Sequence, residues 1–266
     1  MILSSMHGKL VCVSASTKGI GKACVEHLWD MGLDILAMGR NPQDLHLLSQ
    51  HFHEQKNKGA TQHFYTLCVD HQNLQEIKEK LTSFNTIHPI DILIHISGGP
   101  KSGNLINSPT EELSTAFDQH LLSAQIMAQI VTPNMKKNHW GRIITVISTS
   151  VKTPLPNLGV SNVIRAAMSS WTKTLANELG EFGICVNSVL PGYIQTDRLT
   201  QIIKDKALKM NTSEEHVIKL MQEQIPAKRF GQAKELANLI GFLVTPGANY
   251  INGTSICVDG GRTPCI

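Results

Sequence analysis

The stretch SASTKGIGKA carries the first residues able to do chemistry. Gly19 and Gly21 stand where an apolar run, KLVCVSA, gives way to a helical spacing, GIGKACVEHLWDMG. A glycine turn between a strand and a helix turns backbone N–H groups and the positive helix end toward a phosphate. Ala15, Ser16, Lys18, Gly19, Ile20 and Gly21 are therefore candidate contacts to a dinucleotide pyrophosphate. Ala15 stands where glycine is expected, and its Cβ limits positive φ and crowds the backbone's approach to phosphate. The second apolar run ends in AMGRNPQDL. A site for NAD usually carries an acid at this place to hold the ribose hydroxyls, whereas a 2′-phosphate needs positive charge. Arg40 supplies that charge with no acid adjacent, and Lys18 can reach the same phosphate, so NADPH is expected over NADH. Asp70, closing the third run, is placed either to accept from an adenine amino group or to cap the following helix.

These residues need a scaffold that brings strand ends together. KLVCVSA, LDILAMG, HFYTLCVD, DILIHIS, GRIITVIS, GICVNSVL and SICVDGG are short, rich in Ile, Val and Leu, and bounded by Gly, Asp, Ser or Pro. Runs apolar on both faces read as buried parallel strands. Helical stretches such as LQEIKEKLTSF alternate with them, which predicts an α/β doubly wound sheet with helices on both faces. The 266 residues are expected to form one domain. The polar, helical region from about 198 to 228 interrupts the alternation before AKELANLIGFLV, and reads either as a lid over a site or as a surface-packed insertion.

Composition narrows the partners. Apolar residues make up 41% and charged residues 17%, as in soluble globular chains. The net charge of +3 is not concentrated in any basic run, which argues against nucleic acid. No apolar run reaches the roughly 18 residues a membrane span needs. The start of the chain lacks the pattern of a signal peptide. Cysteines at 12, 24, 68, 185, 257 and 265 form no Cys-x-x-Cys pair and suit a reducing cytoplasm. His51 and His53 have no third metal ligand in view, so a solvated helix face is expected there.

The chain resembles the short-chain dehydrogenases/reductases, most closely their 3-oxoacyl-carrier-protein reductase branch. The resemblance runs from about Lys9 to Gly261 and rests on SASTKGIG, ILIHISGG, GRIITVISTS, AAMSSWTKTLANELG, ICVNSVLPGYIQTDR and YINGTSICVDGG in that order. It implies a Rossmann-type single domain, a homotetramer or homodimer, NADP(H), and hydride transfer between the nicotinamide and a small carbonyl or alcohol. The family's catalytic Asn, Ser, Tyr and Lys fall on His120, Ser148, Ser161 and Arg165. Its Asn-Asn-Ala-Gly stretch reads His95, Ile96, Ser97, Gly98, placing Ser97 and Gly98 beside the cofactor. In PGYIQT the resemblance implies that Pro191 and Gly192 border the nicotinamide, that Ile194 can offer backbone groups to the carboxamide, and that Thr196 can bond a phosphate. The chain also resembles a subgroup carrying Ser-Asn-x-x-Arg in place of Tyr-x-x-x-Lys.

The substitutions change the acid chemistry. The family's Tyr gives a proton to the carbonyl oxygen, and serine is a far weaker acid than a phenol. Arg165 stays charged at working pH, so it relays no proton, yet it can stabilise a developing alkoxide. Ser148 and Ser161 could then form a two-donor site for that oxygen. The proton has three candidate sources: His120, Tyr193 and a bound water. Three functions follow: a carbonyl reductase with an altered acid, a non-catalytic nucleotide-binding sensor or assembly partner, or a lyase or isomerase that uses the cofactor structurally. The retained Ser148, Lys18 with Arg40, and the PGYIQT loop favour the first.

Overall fold

The computed structural model describes residues 6–56 and 61–265. Every apolar run named above forms a strand. β1 (Leu10–Val13), β2 (Asp34–Gly39), β3 (Phe64–Cys68), β4 (Ile92–Ile96), β5 (Gly141–Val146), β6 (Ile184–Pro191) and β9 (Ser255–Val258) make one sheet. Its order is β3-β2-β1-β4-β5-β6-β9, parallel throughout. Two further strands, β7 (Ile194–Gln195) and β8 (Gly231–Gln232), pair only with each other.

Alternation along β1 shows why the strands are apolar on both faces. Val11 and Val13 enter one core, and Leu10 and Cys12 enter the other. The first core is closed by α1 (Gly19–Asp30), α2 (Pro42–Lys56) and α9 (Ala233–Leu243), through Leu28, Phe52, Leu236 and Ile240. The second is closed by α3 (Leu74–Ile87), α5 (Ser123–Lys137) and α6 (Gly159–Leu179), through Ile77, Leu81, Met127, Val131 and Ala176. Each fully buried Leu or Ile contributes about 1.5–3 kcal/mol, so neither face tolerates a polar residue cheaply.

The chain winds outward from β1 to β3, then returns to place β4 beside β1. The carboxyl ends of these two strands diverge there into connections on opposite faces. This is the switch point at which open α/β sheets bind ligands. Along the second face, α4 (Thr110–Phe117) runs into a π-helical turn, Asp118–Leu122, before α5 begins.

The region expected at 198–228 is a helical hairpin of α7 (Asp197–Met210) and α8 (Glu214–Glu223). Asn211, at φ 50°, ends α7 in the left-handed region that its short polar side chain tolerates. The hairpin packs on itself through Leu199, Ile203, Ala207, Val217, Met221 and Ile225, with Tyr193 and Phe230 at its base.

Candidate active site

The glycine turn is built by sterics. Ala15 adopts φ 48°, a conformation an L-residue enters at a cost. The conformation expected of a glycine is therefore kept although the glycine is absent. Its carbonyl oxygen would collide with a Cβ at Gly21, so that position admits glycine alone. Gly19, at φ 53°, faces Thr196, whose Cγ2 would lie 3.2 Å from an added Cβ. The N-terminus of α1 carries no acid in its first turn, and Lys18 provides no side-chain cap. Its N–H groups thus open into a cavity of about 480 Å³ lined by this turn, Gly39, Arg40, Asp70, Ser97 and the start of α7.

Ala15, Lys18, Gly19, Ile20, Gly21, Arg40, Asp70, Ser97, Gly98 and Thr196 line that cavity, as the sequence places them. Ser16 does not. It is buried, and both its N–H and its hydroxyl donate to the Met38 carbonyl, tying the turn to β2. Pro191, Gly192 and Ile194 also stand back from it. Pro191 ends β6 paired with Val258, Gly192 packs on Asp259, and Ile194 is buried in β7. None of the four lines the cavity.

Two further expectations need correction. Lys18 is not a free cation: its Nζ lies 3.0 Å from the Asp44 carboxylate in the first turn of α2. Arg40 makes no ion pair among the described residues. Asp70 does not cap α3. Asn73 does, accepting from Glu76 N, while Asp70 accepts from Gln72 N and lines the cavity.

Ser148, Ser161, Arg165 and His120 lie outside the cavity lining, and no hydrogen bond joins any two of them among the described residues. Ser148 follows β5 and accepts from Ser150 N at 3.1 Å. Ser161 sits in the first turn of α6, and Arg165, one turn later, lies on the same face. Arg165 is 6% exposed, donates only to the Val146 carbonyl at 3.4 Å, and has an unpartnered Nε. Burial, then the neighbouring Arg198, pushes its guanidinium down to about 10.

His120 occupies the π-helical turn, which swings its ring inward; such turns recur at functional sites. It is wholly buried. Its Nδ1 bonds the Ser97 hydroxyl, and its Nε2 has no partner. Burial, reinforced by Arg165, holds it down to about 2. A ring that stays neutral at working pH is no imidazolium acid, which removes the reason for choosing His120 as the proton source. Its Nε2 position leaves one hydrogen bond to give or accept. Tyr193 is engaged elsewhere: its hydroxyl accepts from Arg262 Nη2 at 3.1 Å, and its ring packs edge-on to Phe230. His51 and His53 lie exposed on α2, bonded within their own helix.

Three residues that the sequence reading did not single out for the site belong to it. His95, on β4, donates to or accepts from Ser123 Oγ at 3.1 Å and stacks on His71, ring centroids 5.5 Å apart. His71 lines the cavity, with burial lowering it to about 4. Burial lowers His95 as well. Arg198, at the start of α7, lines the same cavity and donates from Nη2 to the Pro100 carbonyl at 3.1 Å. A histidine directly after a strand-ending Asp was the only sequence signal for His71.

A single parallel sheet with a glycine turn at its switch point, a Ser after β5 and a polar pair one helical turn apart on α6 define a nucleotide-dependent oxidoreductase scaffold. Residues 14–263 match the family described as Enoyl-(Acyl carrier protein) reductase, and the chain belongs to it, within the short-chain dehydrogenases/reductases. It is 29% identical over 256 residues to the 3-oxoacyl-[acyl-carrier-protein] reductase FabG of Haemophilus influenzae, covering 96% of this chain and 98% of that one. It is 30% identical over 263 residues to the dehydrogenase/reductase SDR family member 4 of Bos taurus, covering 96% and 88%. The crystal structure of L-sorbose reductase from Gluconobacter frateurii, complexed with NADPH and L-sorbose, superposes with a TM-score of 0.90 at 25% identity, covering 98% of each chain.

Proposed function

We propose that this chain is an NADPH-dependent reductase of a small carbonyl compound, working without the family's tyrosine acid. The observation that carries the reading is the cavity itself. Its volume of about 480 Å³ suits a cofactor. One end is an uncapped helix N-terminus and the other is Ser97, bonded to the His120 ring. The residues present fit a dinucleotide: Gly21 leaves room where a Cβ would strike backbone, and Arg40 is available to a 2′-phosphate. NADPH is also the cofactor in the similar sorbose reductase complex.

NADPH would supply the hydride when bound. This chain's part is to orient the carbonyl and stabilise the alkoxide that forms. The hydroxyls of Ser148 and Ser161 would donate to that oxygen, and Arg165 would offset its charge in a site screened from water. With His120 held neutral and Tyr193 bonded to Arg262, a water held by the serines is the proton source this arrangement favours. The hairpin of α7 and α8 would serve as a lid, since its first residues already line the cavity.

Fluorescence titration tests the first half: NADPH should bind more tightly than NADH. Single-turnover NADPH oxidation with a carbonyl panel tests the second, and should slow on Ser148→Ala and on Arg165→Ala. A second reading, a nucleotide-binding protein without catalysis, is favoured by Ala15, His95, His120, Ser161 and Arg165, which replace the family's residues. Tight NADPH binding with no oxidation by any carbonyl would select it.

A further inference from the structure

A second cavity, of about 240 Å³, opens in the segment that follows Ser148 and shares no lining residue with the cofactor cavity. Ser148 caps the short helical turn Thr149–Val151, and Thr149 lines the cavity. Pro154, Leu155 and Pro156 give it an apolar strip, and Gln224, at the end of α8, adds a neutral amide. Arg262 is the one charged residue in the lining, which holds no Asp or Glu.

The chain delivers this arginine through a glycine turn. Gly260 and Gly261 stand at φ 66° and 84°, in the left-handed region. Asp259 locks the turn: one carboxylate oxygen accepts from Gly261 N and the other from Thr263 N. The acid of the turn is thus spent on backbone donors, and Arg262 makes no ion pair among the described residues. Tyr193 holds the guanidinium instead. The guanidinium carbon lies 4.2 Å from the ring centroid, and Nη2 donates to the phenol oxygen at 3.1 Å. Such a contact fixes the fork and leaves its charge uncancelled. Neither Nε nor Nη1 has a partner among the described residues. Lys206, with Nζ 5.9 Å from the same ring centroid, adds a second positive charge nearby.

We propose that this cavity binds a monoanion, a carboxylate on a short apolar chain. Arg262 holds the carboxylate, since a guanidinium fork matches it in parallel hydrogen bonds and a fork already fixed loses little freedom on binding. Pro154, Leu155 and Pro156 meet the chain. The single lining cation balances one negative charge, which favours a carboxylate over a phosphate. The site stands without the reductase reading; assigning the carboxylate to the substrate rests on it. The cavity begins one residue from Ser148, the serine that would hold the carbonyl oxygen, so the carboxylate is the far end of the substrate.

Titration of the purified protein with pentanoate, followed by ligand-observed NMR, tests the site, with pentanamide as the neutral control. Pentanoate should bind more tightly than the amide. Arg262→Gln should weaken it by about tenfold or more, as loss of charge-assisted hydrogen bonds requires, and Arg262→Lys should keep part of the affinity. Circular dichroism checks that both variants fold. Should Arg262→Gln unfold, Leu155→Glu sets a like charge in the lining and should weaken pentanoate in its place. No preference for pentanoate over the amide, or binding unchanged in the folded variants, overturns the proposal. NADPH oxidation then tests the source of the carboxylate. 4-Oxopentanoate should exceed its methyl ester in kcat/KM by about tenfold, an advantage that Arg262→Gln removes. Acid and ester reduced alike would overturn the assignment to the substrate and leave the site to a separate carboxylate. If no carbonyl is reduced, the reductase reading fails by itself, and the pentanoate titration still decides the site.

Discussion

Lowering the pH from 7.5 to 5.5 should unfold this protein far more readily than its acidic residues alone would. His71, His95 and His120 are buried, and burial sets the pKa of each below the ordinary value of 6.5, to about 4 for His71 and about 2 for His120. The folded state therefore holds all three neutral, while the unfolded chain protonates them as the pH drops through 6.5. Their contribution to stability is fully present above that value and is lost as the pH falls below it. At pH 5.5 each costs about 1.4 kcal/mol, so the three together remove about 4 kcal/mol. That is a large share of the roughly 5–15 kcal/mol that holds a typical domain. His71 stops contributing further loss near pH 4, whereas His120 continues to oppose folding well below it. Guanidinium melts at pH 7.5, 6.5 and 5.5 would measure the slope. His71→Asn should reduce it by about one proton in three. A free energy that stays flat between pH 7.5 and 5.5 would refute the claim that the three rings are buried and neutral.

Three more outcomes are expected. Arg165→Met should raise Tm while slowing turnover, because it removes a buried cation with one weak partner; the gain should be about 1–3 kcal/mol in denaturant melts, and a loss of similar size would mean the guanidinium is already paired. Gly21→Ala should abolish NADPH binding and destabilise the fold by about 2 kcal/mol or more, since its Cβ would collide with the Ala15 carbonyl oxygen; unaltered fluorescence titration would contradict the geometry of the turn. Asp44→Asn frees Lys18 and should tighten NADPH binding by up to about fivefold with little effect on NADH, measured by the same titration.

The sheet was legible because a buried parallel strand must be apolar on both faces, and all seven such runs became strands. The glycine turn was legible for a similar reason: backbone crowding at Gly21 leaves one residue type. What the sequence concealed depends on partners far along the chain. The pairing of Lys18 with Asp44 spans a helix, a strand and two turns, so the net charge of that corner could not be read locally. Ser16 belongs to the same glycine stretch, yet whether it faces a ligand or β2 is decided by strand order. The π-helical turn is a change in hydrogen-bond register that leaves no compositional mark, and it aims His120 inward. Arg198 looks like any surface cation until α7 is laid against Gly99.

The two short strands β7 and β8 have a consequence of their own. They bind residues 194–195 to 231–232 at the foot of the helical hairpin, as a drawstring closes the neck of a bag. The helical hairpin between those pairs packs mainly on itself and meets the rest of the chain through Arg198 at Pro100 and Ala227 at Gly260. Beyond Arg198, which still lines the cavity, the contents of the bag are set apart from the contact of Thr196 with Gly19. Such a seam marks where a designer would cut to graft a new hairpin onto this scaffold.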